Sequence, residues 1–205
     1  MSTETHWNRV YTDKAVTQVS WFQLHASQSI QLIQSLKLEP DAAIIDVGAG
    51  ASILADELLD LGYRHLTVLD ISNMALRQSQ QRLGDRAHLI HWKVADLLSV
   101  EFEPETYQVW HDRAVFHFLT QPQEQKRYIQ QVKTAVQPLG YVIVATFAED
   151  GPVQCSGLEV QRYSVAQLRQ QFAEPDFRFI SSVQDVHITP NQQAQKFNYV
   201  VFQKQ

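Results

Sequence analysis

The chain has 205 residues, of which 44% are hydrophobic and 19% are charged, and its net charge is −5. This composition excludes a wholly disordered chain, and the acidic balance argues against binding to nucleic acid, because phosphate contacts need clustered Lys and Arg side chains. The single cysteine, Cys155, excludes an internal disulfide, and no apolar run approaches the ~20 residues of a membrane span. We therefore expect a cytoplasmic protein without a membrane partner, and the N-terminal residues lack the pattern of a signal peptide.

Elements alternate in type along most of the chain. Residues 1–40 read as an N-terminal extension with a helix from about residue 27 to residue 36. Strands are then predicted at 42–47, 65–70, 87–95, 107–111 and 141–147, and helices at 52–61, 72–84 and 123–136. This alternation predicts βαβ units and a parallel sheet with right-handed crossovers. Two final strands, at 178–188 and 196–203, flank a polar turn and should pair antiparallel.

Four of the predicted strands stop at an aspartate, namely Asp46, Asp70, Asp96 and Asp112. The carboxyl ends of parallel strands meet at one edge of the sheet, which is where open α/β sheets bind ligands. One such aspartate is explained equally well as a helix cap or a turn residue. Four of them beside a glycine loop favour a binding crevice that all four line.

The glycine loop runs from Asp46 to Ser52, where Gly48 and Gly50 permit a tight turn and a close approach of backbone to ligand. Asp70 follows at the spacing of a residue that accepts hydrogen bonds from ribose hydroxyls. The dinucleotide fingerprint fails because Ile53 stands where it requires glycine, and the P-loop pattern is absent. A carboxylate in the loop, Asp46, would repel a pyrophosphate but would suit the ammonium and sulfonium of S-adenosylmethionine (SAM).

Four segments in order, IIDVGAGAS, LGYRHLTVLDIS, VADL and WHDRAVFHFL, resemble the motifs of class I SAM-dependent methyltransferases. The N-terminal Trp7, Tyr11 and Trp21 resemble the start of the group that includes the elongation-factor lysine methyltransferases and small bacterial relatives. The resemblance implies a three-layer, Rossmann-like α/β sandwich with a mostly parallel seven-stranded sheet and an antiparallel C-terminal strand. It also implies one domain over 1–205, made of a helical lid or extension (1–40), a SAM-binding core (41–147), and a substrate-side insertion with a C-terminal β-hairpin (148–205).

The resemblance assigns roles to the residues that match these motifs. The methionine part of SAM would meet Asp46, Gly48, Ala49 and Gly50, and the turn at Asp112 and Arg113 would close over it. The ribose would meet Asp70, and the adenine would meet Ile71, Asp96 and Leu97. Trp21 would lie in a lid over the cofactor.

Methyl transfer from a sulfonium needs alignment and desolvation, and it needs a general base only when the nucleophile arrives protonated. His117 is the weak candidate for that base, and the alternative is a packing histidine. Phe116, Arg162 and Tyr163 are the other substrate-side candidates, although Arg162 is explained equally well by an ion pair with Glu159. No metal site is expected, since the histidines have no partner ligands at zinc spacing.

The predicted function is therefore a SAM-dependent methyltransferase that releases S-adenosylhomocysteine (SAH) and acts on an unidentified acceptor. The apolar segment from Val115 to Phe118 and the short insertion favour a small molecule over a protein lysine. The alternatives are a protein lysine methyltransferase, a catalytically inactive SAM-binding protein and, less favoured because of Ile53, a nicotinamide oxidoreductase.

Overall fold

A central sheet and six helices account for most of the chain in the computed structural model, which describes residues 3–205. The strands are β1 (Ala43–Val47), β2 (His65–Asp70), β3 (Ile90–Val94), β4 (Tyr107–Arg113), β5 (Val136–Phe147), β6 (Gln154–Cys155), β7 (Leu158–Glu159), β8 (Phe177–Ile188) and β9 (Ala194–Lys204). The helices are α1 (Thr3–Asp13), α2 (Ser27–Ser35), α3 (Leu54–Asp60), α4 (Asn73–Leu83), α5 (Pro122–Ala135) and α6 (Val165–Gln171).

Seven strands form one sheet in the order β3-β2-β1-β4-β5-β9-β8, and β6 pairs with β7 in a separate ribbon. Strands β1 to β5 are parallel, whereas β9 runs antiparallel to both β5 and β8. The fold is the mostly parallel, Rossmann-like α/β sandwich expected from the sequence, with its reversed C-terminal strand. The order changes direction at β1, so the carboxyl ends of β1 and β4 flank the crevice where such sheets bind ligands.

Helices cover both faces of the sheet and give the fold its three layers. On one face, the apolar residues of α2, α3 and α4, such as Ile33, Leu58 and Leu76, pack against the sheet. On the other face, Tyr128 of α5 and Leu168 of α6 lie in a second core. Both faces of the central strands are thus buried, as is typical of parallel strands.

Strand alternation decides which face each strand-end side chain reaches. Along β4, Val109 packs on the α2–α4 face and Trp110 on the α5–α6 face. Because successive side chains point to opposite faces, His111 and Arg113 point to the same face as Val109. Asp112 points to the same face as Trp110. Asp112 therefore lies on the opposite face of the sheet from His111 and Arg113.

Several boundaries differ from the sequence-based expectation. Strand β3 begins at Ile90 instead of residue 87, because Gly84–Leu89 forms a 3₁₀ helix. Strand β5 begins at Val136 instead of residue 141 and contains an irregularity at Leu139, which adopts a left-handed φ of 62°. Helix α3 spans Leu54–Asp60 instead of 52–61, and Leu61 beyond it is 43% exposed.

Candidate active site

A cavity of about 630 Å³ opens at the carboxyl ends of the parallel strands. Its walls come from the glycine loop, the ends of β2 and β3, the segment after β4, the N-terminal segment and the β6–β7 ribbon. The structure brings together all but two of the residues that the resemblance assigned to the cofactor, namely Trp21, Asp46, Gly48, Ala49, Asp70, Ile71, Asp96, Leu97 and Arg113. The other two, Gly50 and Asp112, do not line the cavity, although the N–H of Gly50 donates to Asp70, which does.

The glycine loop adopts a conformation that requires glycine at two positions. Gly48 and Gly50 have φ values of +59° and +57°, in the left-handed region that L side chains rarely adopt. A Cβ at Gly48 would lie 1.9 Å from Cγ2 of Val115, and a Cβ at Gly50 would lie 2.1 Å from Oη of Tyr11. The loop therefore has no room for side chains, and its backbone is the surface offered to the cavity.

Asp70 ties this loop to the start of α4. Its carboxylate accepts hydrogen bonds from the backbone N–H groups of Gly50 and Ser72, each at 2.7 Å. Ser72 in turn caps α4 by accepting a hydrogen bond from the N–H of Ala75 at 3.2 Å. Burial raises the pKa of Asp70 to about 6, although the two backbone hydrogen bonds oppose the shift.

This raised pKa predicts a pH-dependent affinity for SAH. The resemblance places the ribose against Asp70, where its hydroxyls would donate to the ionised carboxylate. Acid protonates that group in the free protein, so binding would displace a proton. We expect the affinity for SAH, measured by calorimetry, to be flat above pH 7 and to fall by up to about tenfold per pH unit below pH ~6. Asp70→Asn should flatten the profile, and Asp112→Asn, which changes an equally shifted group outside the cavity, should retain it; the reverse result would contradict the ribose assignment.

A buried chain of three side chains links α2 to β1 and β4. The Nδ1 of His111 lies 2.7 Å from Oδ1 of Asp46, and its Nε2 lies 2.9 Å from Oγ of Ser29. A carboxylate can only accept, so Nδ1–H donates to Asp46, and in the neutral imidazole Nε2 then accepts from the hydroxyl of Ser29. The other carboxylate oxygen of Asp46, Oδ2, is buried and has no hydrogen-bond partner within the described residues. An ammonium group from a ligand would fit this acceptor.

Arg113, at the end of β4, is held by three contacts on the same face. Its Nε donates to Oη of Tyr199 at 3.0 Å, its Nη1 donates to the carbonyl of Trp21 at 3.4 Å, and its guanidinium lies 4.7 Å from the ring centre of Phe197. The remaining nitrogen, Nη2, is buried and has no partner among residues 3–205. The guanidinium of Arg113 therefore places a positive charge in the cavity wall, and its Nη2 is free to donate hydrogen bonds.

Asp112 does not line the cavity, which corrects the expectation of four aspartates in one crevice. It is fully buried on the opposite face of the sheet and accepts hydrogen bonds from Oη of Tyr128 at 2.6 Å and from the N–H groups of Val115 and Phe116 at 2.8 and 3.0 Å. Burial raises its pKa to about 6. Asp112 therefore stabilises the turn after β4 by accepting hydrogen bonds from its backbone.

His117 is buried in the structure and does not line the cavity, contrary to its candidacy as a base. Its ring packs between Phe118 and Phe147, at centroid distances of 4.6 and 4.7 Å, and its Nδ1 accepts from the N–H of Phe147 at 3.4 Å. Burial, together with the nearby charge of Arg113, lowers its pKa to about 3. A histidine that resists protonation in this way is a poor proton acceptor at neutral pH, and the packing alternative describes it better.

The other substrate-side candidates also lie outside the cavity. Phe116 and Tyr163 pack against each other at 5.3 Å in the core under α5 and α6. Arg162 donates to the carbonyl of Gly151 at 3.3 Å and forms no ion pair with Glu159. The residues that line this side of the cavity instead are Val115, Phe118, Leu119, Cys155, Leu158 and Glu159.

The N-terminal segment covers the cavity with aromatic side chains. Tyr11 is buried, and its hydroxyl accepts a hydrogen bond from Nε1 of Trp21 at 3.0 Å. Trp7 packs edge-on against Trp21 and Phe118, at 5.7 and 5.3 Å. Asn8 fastens α1 to α4, because its side-chain oxygen accepts from the hydroxyl of Ser72 at 2.9 Å. Nothing local in the sequence indicates these long-range contacts beyond the aromatic content of the segment.

Residues 3–205 contain neither a cluster of metal ligands nor a candidate membrane span. No group of three or more His, Cys, Asp or Glu side chains in this range is arranged to hold a metal ion. No helix in the same range is long and apolar enough to cross a membrane.

Comparison with known proteins points to one kind of domain. Residues 44–140 match the family model described as a methyltransferase domain. The chain is 22% identical over 187 residues to the eEF1A lysine and N-terminal methyltransferase of Mus musculus, which covers 85% of this chain but only 26% of that protein. The chain thus spans about a quarter of that relative's length.

Solved structures share the fold across nearly the whole chain. One, described for the conversion of a disulfide bond into a thioacetal group during echinomycin biosynthesis, has a TM-score of 0.80 at 17% identity and covers 99% of this chain and 92% of its own. Another is the 1,6-didemethyltoxoflavin-N1-methyltransferase of Burkholderia thailandensis, with a TM-score of 0.69 at 17% identity, covering 95% of this chain and 80% of its own. At these identities the likeness establishes the fold alone.

Proposed function

We propose that the chain forms a class I SAM-dependent methyltransferase domain and transfers the methyl group of SAM to a small molecule held in the cavity described above. The observation that carries this proposal is the partial enclosure of the site. The acceptor side is bounded by Trp7, Trp21 and Phe118 from one direction and by Cys155 and Leu158 from another. A partly enclosed, mostly apolar cavity of about 630 Å³ suits a cofactor with a small partner better than a folded protein surface.

The described residues fit SAM at three points. Asp46 presents a buried carboxylate oxygen without a partner, which suits the ammonium of the methionine part. Asp70 lies beside the backbone of Gly50 at the position for the ribose. Asp96 uses one oxygen to accept from the N–H of Leu98 at 2.9 Å and retains the other for the adenine amino group. These roles form part of the proposal.

SAM supplies a methyl group already activated by its bond to a positively charged sulfur. The acceptor's lone pair forms the new bond to the methyl carbon while the carbon–sulfur bond breaks, its electron pair remaining on sulfur in SAH. The chain's task is to align the partners and exclude water, which can supply about 7–11 kcal/mol. The aromatic cover serves that task, and any proton on the acceptor atom passes to solvent or to a group of the acceptor, since His117 is unsuited to take it.

A protein lysine is the second candidate acceptor. The eEF1A methyltransferase relative favours it, and so do the carboxylates of Glu124 and Glu159 on the cavity wall, which would attract an ammonium. Against it stands Arg113, whose positive charge lies on the same wall and would repel that ammonium.

Labelling distinguishes these acceptors. The protein is incubated with methyl-labelled SAM and a cell extract, and the mixture is filtered to separate small molecules from macromolecules. We expect the label mainly in the filtrate and its loss with Gly48→Arg, which fills the glycine loop. Label found mainly in macromolecules would support the lysine alternative, and SAH binding without any transfer would indicate an inactive SAM-binding protein.

A further inference from the structure

Arg113 has no counter-charge in the structure. In the described part of the chain, no carboxylate forms an ion pair with its guanidinium, although seven other ion pairs are present. Arg113 is only partly buried, but its Nη2 is inaccessible to solvent, and a donor in such a position normally has a partner. The contacts of Arg113 are all to neutral groups, which are the hydroxyl of Tyr199, the carbonyl of Trp21 and the ring of Phe197.

The titratable neighbours of Arg113 do not supply the missing charge. Burial raises the pKa of Cys155 to about 11, so this thiol in the cavity wall is uncharged at neutral pH. Burial lowers the pKa of His117 to about 3 and also lowers that of His187, so both histidines are neutral as well. Glu124 and Glu159 line the same cavity, but neither forms an ion pair with Arg113, so its guanidinium has no directly bonded anion among the described residues.

The side-chain contacts of Arg113 lead away from the proposed cofactor groups, although β4 pairs directly with β1 and sets Asp112 beside Val47. The residues proposed for adenine, ribose and methionine follow β3, β2 and β1, on one side of β4. The side chain of Arg113 instead reaches toward β9, the second strand on the other side of β4, where it contacts Phe197 and Tyr199. The same corner holds Cys155 of the β6–β7 ribbon, which belongs to the acceptor side of the cavity.

We propose that Arg113, which the resemblance assigned to the methionine part of SAM, is instead an oxyanion subsite whose guanidinium recognises a carboxylate on the methyl acceptor, since its Nη2 has no partner among residues 3–205. The inference rests on the proposed function and narrows its substrate class to small anionic molecules. A charge-assisted hydrogen bond from a guanidinium to a carboxylate is among the stronger polar contacts available, and it is stronger still in a water-excluded cavity. Holding the acceptor by a remote carboxylate orients its nucleophilic atom without consuming it.

A carboxylate could also come from SAM itself, so the experiment separates the two sources. Wild-type protein saturated with SAH is titrated by calorimetry with benzoate and with benzamide, a neutral probe of matched shape. We expect benzoate to bind at least about tenfold more tightly than benzamide, and Arg113→Gln to abolish this preference. Arg113→Lys should retain part of it, and Arg162→Gln, which changes an arginine outside the cavity, should retain all of it.

Cofactor affinity is measured in the same variants. The proposal requires Arg113→Gln to bind SAH within about threefold of wild type, because it gives the contacts with SAH to the residues after β1, β2 and β3 and not to Arg113. A more than tenfold loss of SAH affinity, with unchanged affinity for 5′-methylthioadenosine, which lacks the amino-acid carboxylate, would assign Arg113 to the cofactor and overturn the proposal. Equal binding of benzoate and benzamide by the wild-type SAH complex would also overturn it, whether or not the variants fold. Failure of the wild type to bind SAH would instead overturn the proposed function.

Discussion

Replacing Gly48 with alanine is expected to weaken SAH binding at least about 30-fold, a loss of about 2 kcal/mol. Two effects combine at this position. The left-handed φ of +59° is costly for any L side chain, and the added Cβ would lie 1.9 Å from Cγ2 of Val115 on the cavity wall. Either Val115 or the loop must move, and both line the surface that the cofactor would contact.

Gly84 offers a matched control for this variant. Its φ is +57°, nearly that of Gly48, but no heavy atom lies within 4 Å of an added Cβ. Gly84→Ala should therefore lose about 1–3 kcal/mol of stability from backbone strain, since a φ of 57° with a ψ of −128° suits glycine alone, while binding SAH normally. Thermal unfolding and calorimetry on both variants separate the two contributions. Equal SAH affinities for the two variants would show that the glycine loop does not contact the cofactor.

The fold was predictable because its signals are local. Strands alternate with helices along the chain, and Ser72 and Gly84 mark the ends of α4 as their residue types indicate. The glycine loop and the aspartate at the end of β2 are likewise a short pattern with a direct physical meaning. Such features depend only on residues that are close in the sequence, so they can be predicted from the sequence directly.

The orientation of side chains at the end of β4 was not predictable in the same way. Strand β4 is buried on both faces, with Val109 on one and Trp110 on the other, so its apolar pattern has no period that shows where Asp112 points. The 3₁₀ turn that follows sends Phe116 into the core and Phe118 into the cavity.

The contact between Ser29 and His111 spans 82 residues and has no local signal. The buried chain from Ser29 to Asp46 therefore emerges only when α2, β1 and β4 are assembled. Sequence reasoning identified Asp46 from the glycine loop but could not assign a role to its partners.

The N-terminal segment is expected to act as the lid, so its removal should have the largest effect on turnover. Deleting residues 1–24 takes away Trp7, Tyr11 and Trp21 and opens one wall of the cavity to water. We expect SAH affinity to fall at least about 100-fold, the scale of losing one or two well-buried aromatic contacts. Methyl transfer should be lost, since water would weaken every electrostatic contact inside the site.

The sheet should survive this deletion, because its first strand begins at Ala43 and α2 with Ile33 remains to cover that face. Far-ultraviolet circular dichroism should therefore stay close to that of the full chain. Two substitutions on α1 calibrate the result. Arg9→Ala changes only an exposed ion pair with Asp13 and should leave SAH affinity unchanged, whereas Asn8→Ala removes the attachment to Ser72 and should weaken binding by an intermediate amount. If the shortened protein instead binds SAH and transfers methyl groups like the full chain, the aromatic cover only packs against the domain, and the enclosure that favours a small acceptor loses its functional meaning.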